Sequence, residues 1–115
     1  YFVITGVDGS GDSAMDLPPI SATVQRGQRL LARYICAGYH PQRIRFGGLT
    51  GTIYASDGRP LPRPVQVTEI RAASAERYDI IFEPTQRGTY LVETDIIHWV
   101  TGQVLGTTRT SITVV

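Results

Sequence analysis

What most limits this chain is its punctuation. Twelve glycines and seven prolines cut the 115 residues into short runs rich in β-branched and aromatic side chains. No window of about eleven or more residues carries an apolar stripe at helical spacing, the pattern a long amphipathic helix needs. Strands are therefore expected over Phe2–Thr5, Ile20–Val24, Arg29–Cys36, Gln42–Phe46, Gly51–Ala55, Val67–Ala72, Arg77–Phe82, Thr89–Thr94 and Thr107–Val114. One short helical turn is expected over Thr94–Val100, where Ile96, Ile97 and Val100 fall three or four apart. Ser56-Asp57-Gly58-Arg59-Pro60 reads as a turn, since Gly tolerates positive φ and Asp bonds the backbone nearby. Val7–Leu17 reads as an exposed loop. Leu61-Pro62-Arg63-Pro64 reads as an edge strand or a loop, because proline removes ladder donors. Period-2 placement puts Leu31, Ile35, Ile44, Ile53, Ile70, Ile80, Phe82, Leu91 and Ile112 in the core. The whole is an all-β chain, an antiparallel Greek-key β-sandwich forming one domain over residues 1–115.

Function classes fall away in turn. Hydrophobic residues at 42% and charged residues at 18% are those of a globular domain rather than a disordered tail. Eleven arginines, no lysine and ten acidic residues leave a net charge of +1. That balance offers no field to draw nucleic acid or an anionic membrane. Apolar runs reach only about six residues, against roughly 20 for a membrane span. The chain starts Tyr1-Phe2-Val3 without an initiator Met, and is expected to be a fragment or processed product of a longer, multidomain chain. Cys36 is the sole cysteine, which excludes an internal disulfide and a thiolate zinc site. Two histidines, His40 and His98, cannot make a three-histidine metal centre, and no G-x-S-x-G elbow is present.

Three segments, read in order, carry more. They are Tyr39-His40-Pro41-Gln42-Arg43-Ile44-Arg45-Phe46-Gly47, then Asp57-Gly58 with Glu76-Arg77-Tyr78-Asp79, then Gly88–Gln103. With Tyr1-Phe2-Val3-Ile4-Thr5-Gly6 and Gly27–Gly38, they resemble the cupredoxin domains of multicopper oxidases over nearly the whole chain. The resemblance implies a cupredoxin-like sandwich, sister cupredoxin domains or subunits as partners, and a periplasmic or secreted setting.

The ligand runs depart from that family's pattern. Where the family has H-P-x-H-x-H, this chain has His40-Pro41-Gln42-Arg43-Ile44-Arg45. Where it has H-C-H-I, this chain has Glu93-Thr94-Asp95-Ile96. A one-residue gap then sets His98 and Gln103 at the remaining ligand positions, with Trp99 the ungapped alternative. A blue-copper centre needs a cysteine thiolate, two imidazoles and a weak axial group. Thr94 has no sulfur, and Cys36 stands where the family has Asn. The histidines that would face a trinuclear cluster are replaced by Arg43, Arg45, Glu93 and Asp95, two cations facing two anions. These are expected to pair. Each residue also has a plainer role: solvated charges or an anion site for Arg43 and Arg45, hydrogen-bonding histidines for His40 and His98, a buried small residue for Cys36, and packing in the core or in an interdomain seam for Trp99 and Tyr90.

The expectation is a scaffold domain with no catalytic residue, no metal and no cofactor of its own. Two alternatives stand beside it. One is a fragment of a working multicopper oxidase whose copper is held by other domains. The other is an immunoglobulin-like binding module, with Val7–Leu17 and Leu61–Pro64 as its contact loops.

Overall fold

The structure is a computed structural model, and it describes residues 21–115. The expected strand Phe2–Thr5 and loop Val7–Leu17 lie outside the described residues. The described residues form nine strands: β1 Ser21–Val24, β2 Leu30–Ile35, β3 Gln42–Arg45, β4 Gly51–Ser56, β5 Arg59–Val67, β6 Glu69–Ala72, β7 Arg77–Phe82, β8 Gly88–Ile97 and β9 Val104–Val114. They make two sheets, a five-stranded one ordered β1-β9-β8-β3-β6 and a four-stranded one ordered β2-β7-β4-β5. All pairings are antiparallel except β1 with β9, which is parallel.

Alternation builds the core. Ala22, Val24, Ile44, Ile70, Ala72, Val92, Ile112 and Val114 point inward from one sheet, and Leu30, Tyr34, Ile53, Ile80 and Phe82 from the other. Phe46 and Phe82 meet edge to face with ring centroids 4.9 Å apart, a favoured aromatic geometry. Tyr34 is buried to 5%, and its hydroxyl donates to Gln42 Oε1. Burial pushes that hydroxyl's pKa up, with a smaller contribution from Cys36.

Three expected core residues are corrected. Leu31 is half-buried, while Ile35 and Leu91 are exposed. Their strands are apolar at both parities, so the charged neighbour decides the face. Leu31 and Ile35 share parity with Arg33, which pairs with Asp79 across β2 and β7. Leu91 shares parity with Glu93, so Val92 takes the core position.

Two elements also differ from expectation. The helical turn expected over Thr94–Val100 is absent, because β8 continues as strand to Ile97, paired with Val104. The expected single strand Val67–Ala72 is split at Thr68, since β5 and β6 belong to different sheets. The Asp57-Gly58 turn holds: both residues have positive φ, 51° and 79°, joining β4 to β5 by two residues, as a type I′ hairpin requires. The proline-rich stretch is part of β5, an edge strand.

Candidate functional site: an ion-pair lattice on the outer sheet face

Ile44, Val92 and Thr94 face the core, so the intervening residues of β3, β8 and β9 face outward. Register sets Arg43 opposite Asp95 and Arg45 opposite Glu93. It also sets Glu93 opposite Arg109 and Asp95 opposite Thr107. The two segments expected to pair do meet.

Asp95 is the centre. Its side chain is 3% exposed, and both carboxylate oxygens are used. Oδ2 accepts from Arg43 Nη2 at 2.8 Å and from Nε at 3.1 Å. Oδ1 accepts from Arg45 Nη2 at 3.0 Å and from Thr107 Oγ1 at 2.8 Å. Burial alone would raise the carboxyl's pKa. The hydrogen bonds from Arg43, Thr107 and Arg45 outweigh it and hold Asp95 below the usual carboxylate range. Glu93 forms the looser rim, with Oε2 3.5 Å from both Arg45 Nη2 and Arg109 Nε. Arg45 Nε is enclosed and makes no hydrogen bond among the described residues.

Thr107 and Arg109 complete this lattice and were not expected in it. Their two-residue spacing, like that of Glu93 and Asp95, was the available signal. The partner strand could be identified only from the fold.

The histidines meet at the end of the sandwich. Ile97 N–H donates to Pro41 O at 2.9 Å, and the rings of His40 and His98 lie 5.5 Å apart between centroids. His98 Nδ1 accepts from Val100 N–H at 3.2 Å and Thr101 N–H at 3.1 Å. An accepting Nδ1 on a neutral imidazole leaves the proton on Nε2, so His98 is engaged in holding its own turn. His40 Nδ1 is enclosed without a partner among the described residues. Gln103 is exposed, its backbone carbonyl accepting His98 N–H at 2.7 Å. Trp99 stands 72% exposed and so is not part of this sandwich's core. Tyr90 packs against the core as expected, its hydroxyl donating to Gln86 O. Cys36 is fully buried, Sγ 3.7 Å from His40 O.

The scaffold residues singled out by resemblance brace the opposite sheet. Asp57 Oδ1 accepts Arg77 N–H at 3.0 Å. Glu76 Oε2 accepts the Tyr78 hydroxyl at 2.9 Å and Ala73 N–H at 2.8 Å. Burial, then the Glu76 bond, pushes the Tyr78 hydroxyl up to about 12.

These donors do not suit a blue-copper centre. Thr94 is buried on the core side and lacks a thiolate, and guanidinium groups fill the space beside Asp95. Among the described residues no three His, Cys, Asp or Glu side chains are grouped to hold a metal ion.

The fold defines the class: a two-sheet sandwich of the cupredoxin type. The multicopper oxidase family model matches residues 2–114, and the chain belongs to that family. A stretch of 42 residues is 52% identical to copper resistance protein A of Pseudomonas syringae pv. tomato, covering 36% of this chain and 7% of that protein. The blue copper oxidase of Nitrosomonas europaea superposes with TM-score 0.69 at 26% identity, over 82% of this chain and 30% of that one. The laccase of Botrytis aclada shares the fold, with TM-score 0.71 at 18% identity over 88% of this chain and 20% of its own. The chain thus spans less than a third of the length of these relatives.

Proposed function

We propose that this chain is a structural cupredoxin-like domain of a multicopper-oxidase-like protein, acting outside the cytoplasm and holding no copper itself. In this reading the whole protein oxidises its substrate through copper bound by other domains, and this domain packs against them. The observation that supports it is the Asp95 lattice. Three side chains place four donors on one carboxylate, and Arg43, Arg45 and Asp95 among them stand at positions the family resemblance assigns to metal ligands. Both carboxylates there, Asp95 and Glu93, are paired with guanidinium groups of the same chain.

A double-mutant cycle on Arg43 and Asp95, run with chelator present, tests this. A buried carboxylate stripped of its cation is costly, and removing both partners relieves part of that cost. Coupling of about 1–2 kcal/mol is expected, moderated because Arg43 is partly exposed. Zero coupling would show that the pair does not substitute for anything.

A further inference from the structure

We propose that the end of the sandwich built from residues 36–42 and 96–108 is the surface on which another domain of the same protein docks. The inference rests on the structural-domain reading above and gives that reading a place on the molecule.

The surface is distinctive in what it lacks. Neither segment contains an Asp, Glu, Lys or Arg. Tyr39 is 93% exposed, Trp99 72% and Val100 66%, and Val104 and Leu105 are about half exposed. Register and hydrogen bonding bring them to one end: Ile97 pairs with Val104 and donates to Pro41, and the His40 and His98 rings adjoin. Depletion of charge with enrichment of Tyr and Trp is the composition of an interface centre. Exposed apolar groups collected in one place also mark interaction sites.

The turn that carries Trp99 is hydrogen-bonded on itself. His98 Nδ1 holds Val100 N–H and Thr101 N–H, and Gly102 N–H donates to His98 O at 2.9 Å with Gly102 at φ 73°. A preformed turn leaves only the side chain of Trp99 to be ordered on docking, which keeps the conformational entropy lost small.

The occupant we assign is a neighbouring domain. The chain corresponds to 30% of the Nitrosomonas europaea enzyme and 20% of the Botrytis aclada laccase. In such proteins most of the chain lies outside this sandwich, tethered to it. A tethered partner has a high effective concentration, so one apolar patch of modest size suffices.

The test is hydrogen exchange on the whole protein, wild type against Trp99→Asp, with Val65→Asp as control. Val65 is comparably apolar and 48% exposed, but lies on the β5 edge. Trp99→Asp should speed exchange of the 99–105 amides at least about tenfold, and speed exchange in a second domain as well. Val65→Asp should change neither. The isolated 115-residue chain carrying Trp99→Asp should keep its circular dichroism, which separates lost docking from lost folding. Unchanged exchange in the whole protein would overturn the proposal, as would a variant that fails to fold alone. So would a shift confined to oligomeric state, which would make a second copy the occupant. An intense thiolate-to-copper band on the isolated chain would instead sink the structural-domain reading and leave the docking surface standing.

Discussion

At the scale of single residues, Asp95 carries the account. Arg43 and Asp95 could be read as an opposed pair from the two segments, because each is flanked by a like charge two residues away. What the sequence could not show is that Asp95 would be buried to 2% while Glu93, two residues along, stays half-exposed. That difference comes from Thr107 and two guanidiniums converging on one carboxylate. Asp95→Asn should cost about 1–3 kcal/mol near neutral pH, since it leaves the arginines facing a neutral amide. The pH dependence has a definite sign. A carboxyl held below its ordinary value of 3.8 contributes stability above that value and loses it as pH falls toward the folded-state value. Urea titrations of wild type and Asp95→Asn should therefore converge as pH drops from about 5 to about 3. A gap that stays constant would mean that Asp95 is not held as an ionised group.

At the scale of elements, strand existence was legible and strand facing only partly so. Arg77–Phe82 was read to the residue, whereas Leu31, Ile35 and Leu91 were assigned to the wrong face. Runs such as Leu30-Leu31-Ala32 are apolar at both parities, so hydrophobicity alone cannot choose; the charges at Arg33 and Glu93 do. Turn chemistry shows a similar division. Gly47 and Gly48 both have positive φ, 63° and 97°. A methyl group at Gly47 would collide with the Leu91 backbone, while at Gly48 it would meet open space. Gly48→Ala should cost about 1 kcal/mol of strain alone. Gly47→Ala should cost about 2 kcal/mol or more, because β8 must move. Equal costs in chemical denaturation would contradict the close approach. On edge strand β5, Pro60, Pro62 and Pro64 remove three N–H donors, next to an irregularity in its pairing with β4. Replacing all three with Thr should restore a pairing edge and raise self-association in sedimentation velocity. A variant as monomeric as wild type would show that the prolines do not guard this edge.

At the scale of the whole molecule, the family was readable because its scaffold signals lie in turns with a physical job, such as Asp57 on Arg77 N–H and Glu76 on Tyr78. The exposed end was legible only in part: the sequence left Trp99 between the core and an interdomain seam, and β8 running straight through to Ile97 takes it out of this core. On the proposed reading this sandwich stands without a thiolate-bound copper, which visible spectroscopy checks. Cu2+ is titrated into the isolated chain and absorption followed near about 600 nm, where copper–thiolate charge transfer falls. Thr94 has no sulfur, and Cys36 is wholly buried with its thiol pushed up, chiefly by burial. Only weak absorption, from Cu2+ on the half-buried imidazoles, is expected. An intense blue band at one equivalent of copper would contradict it.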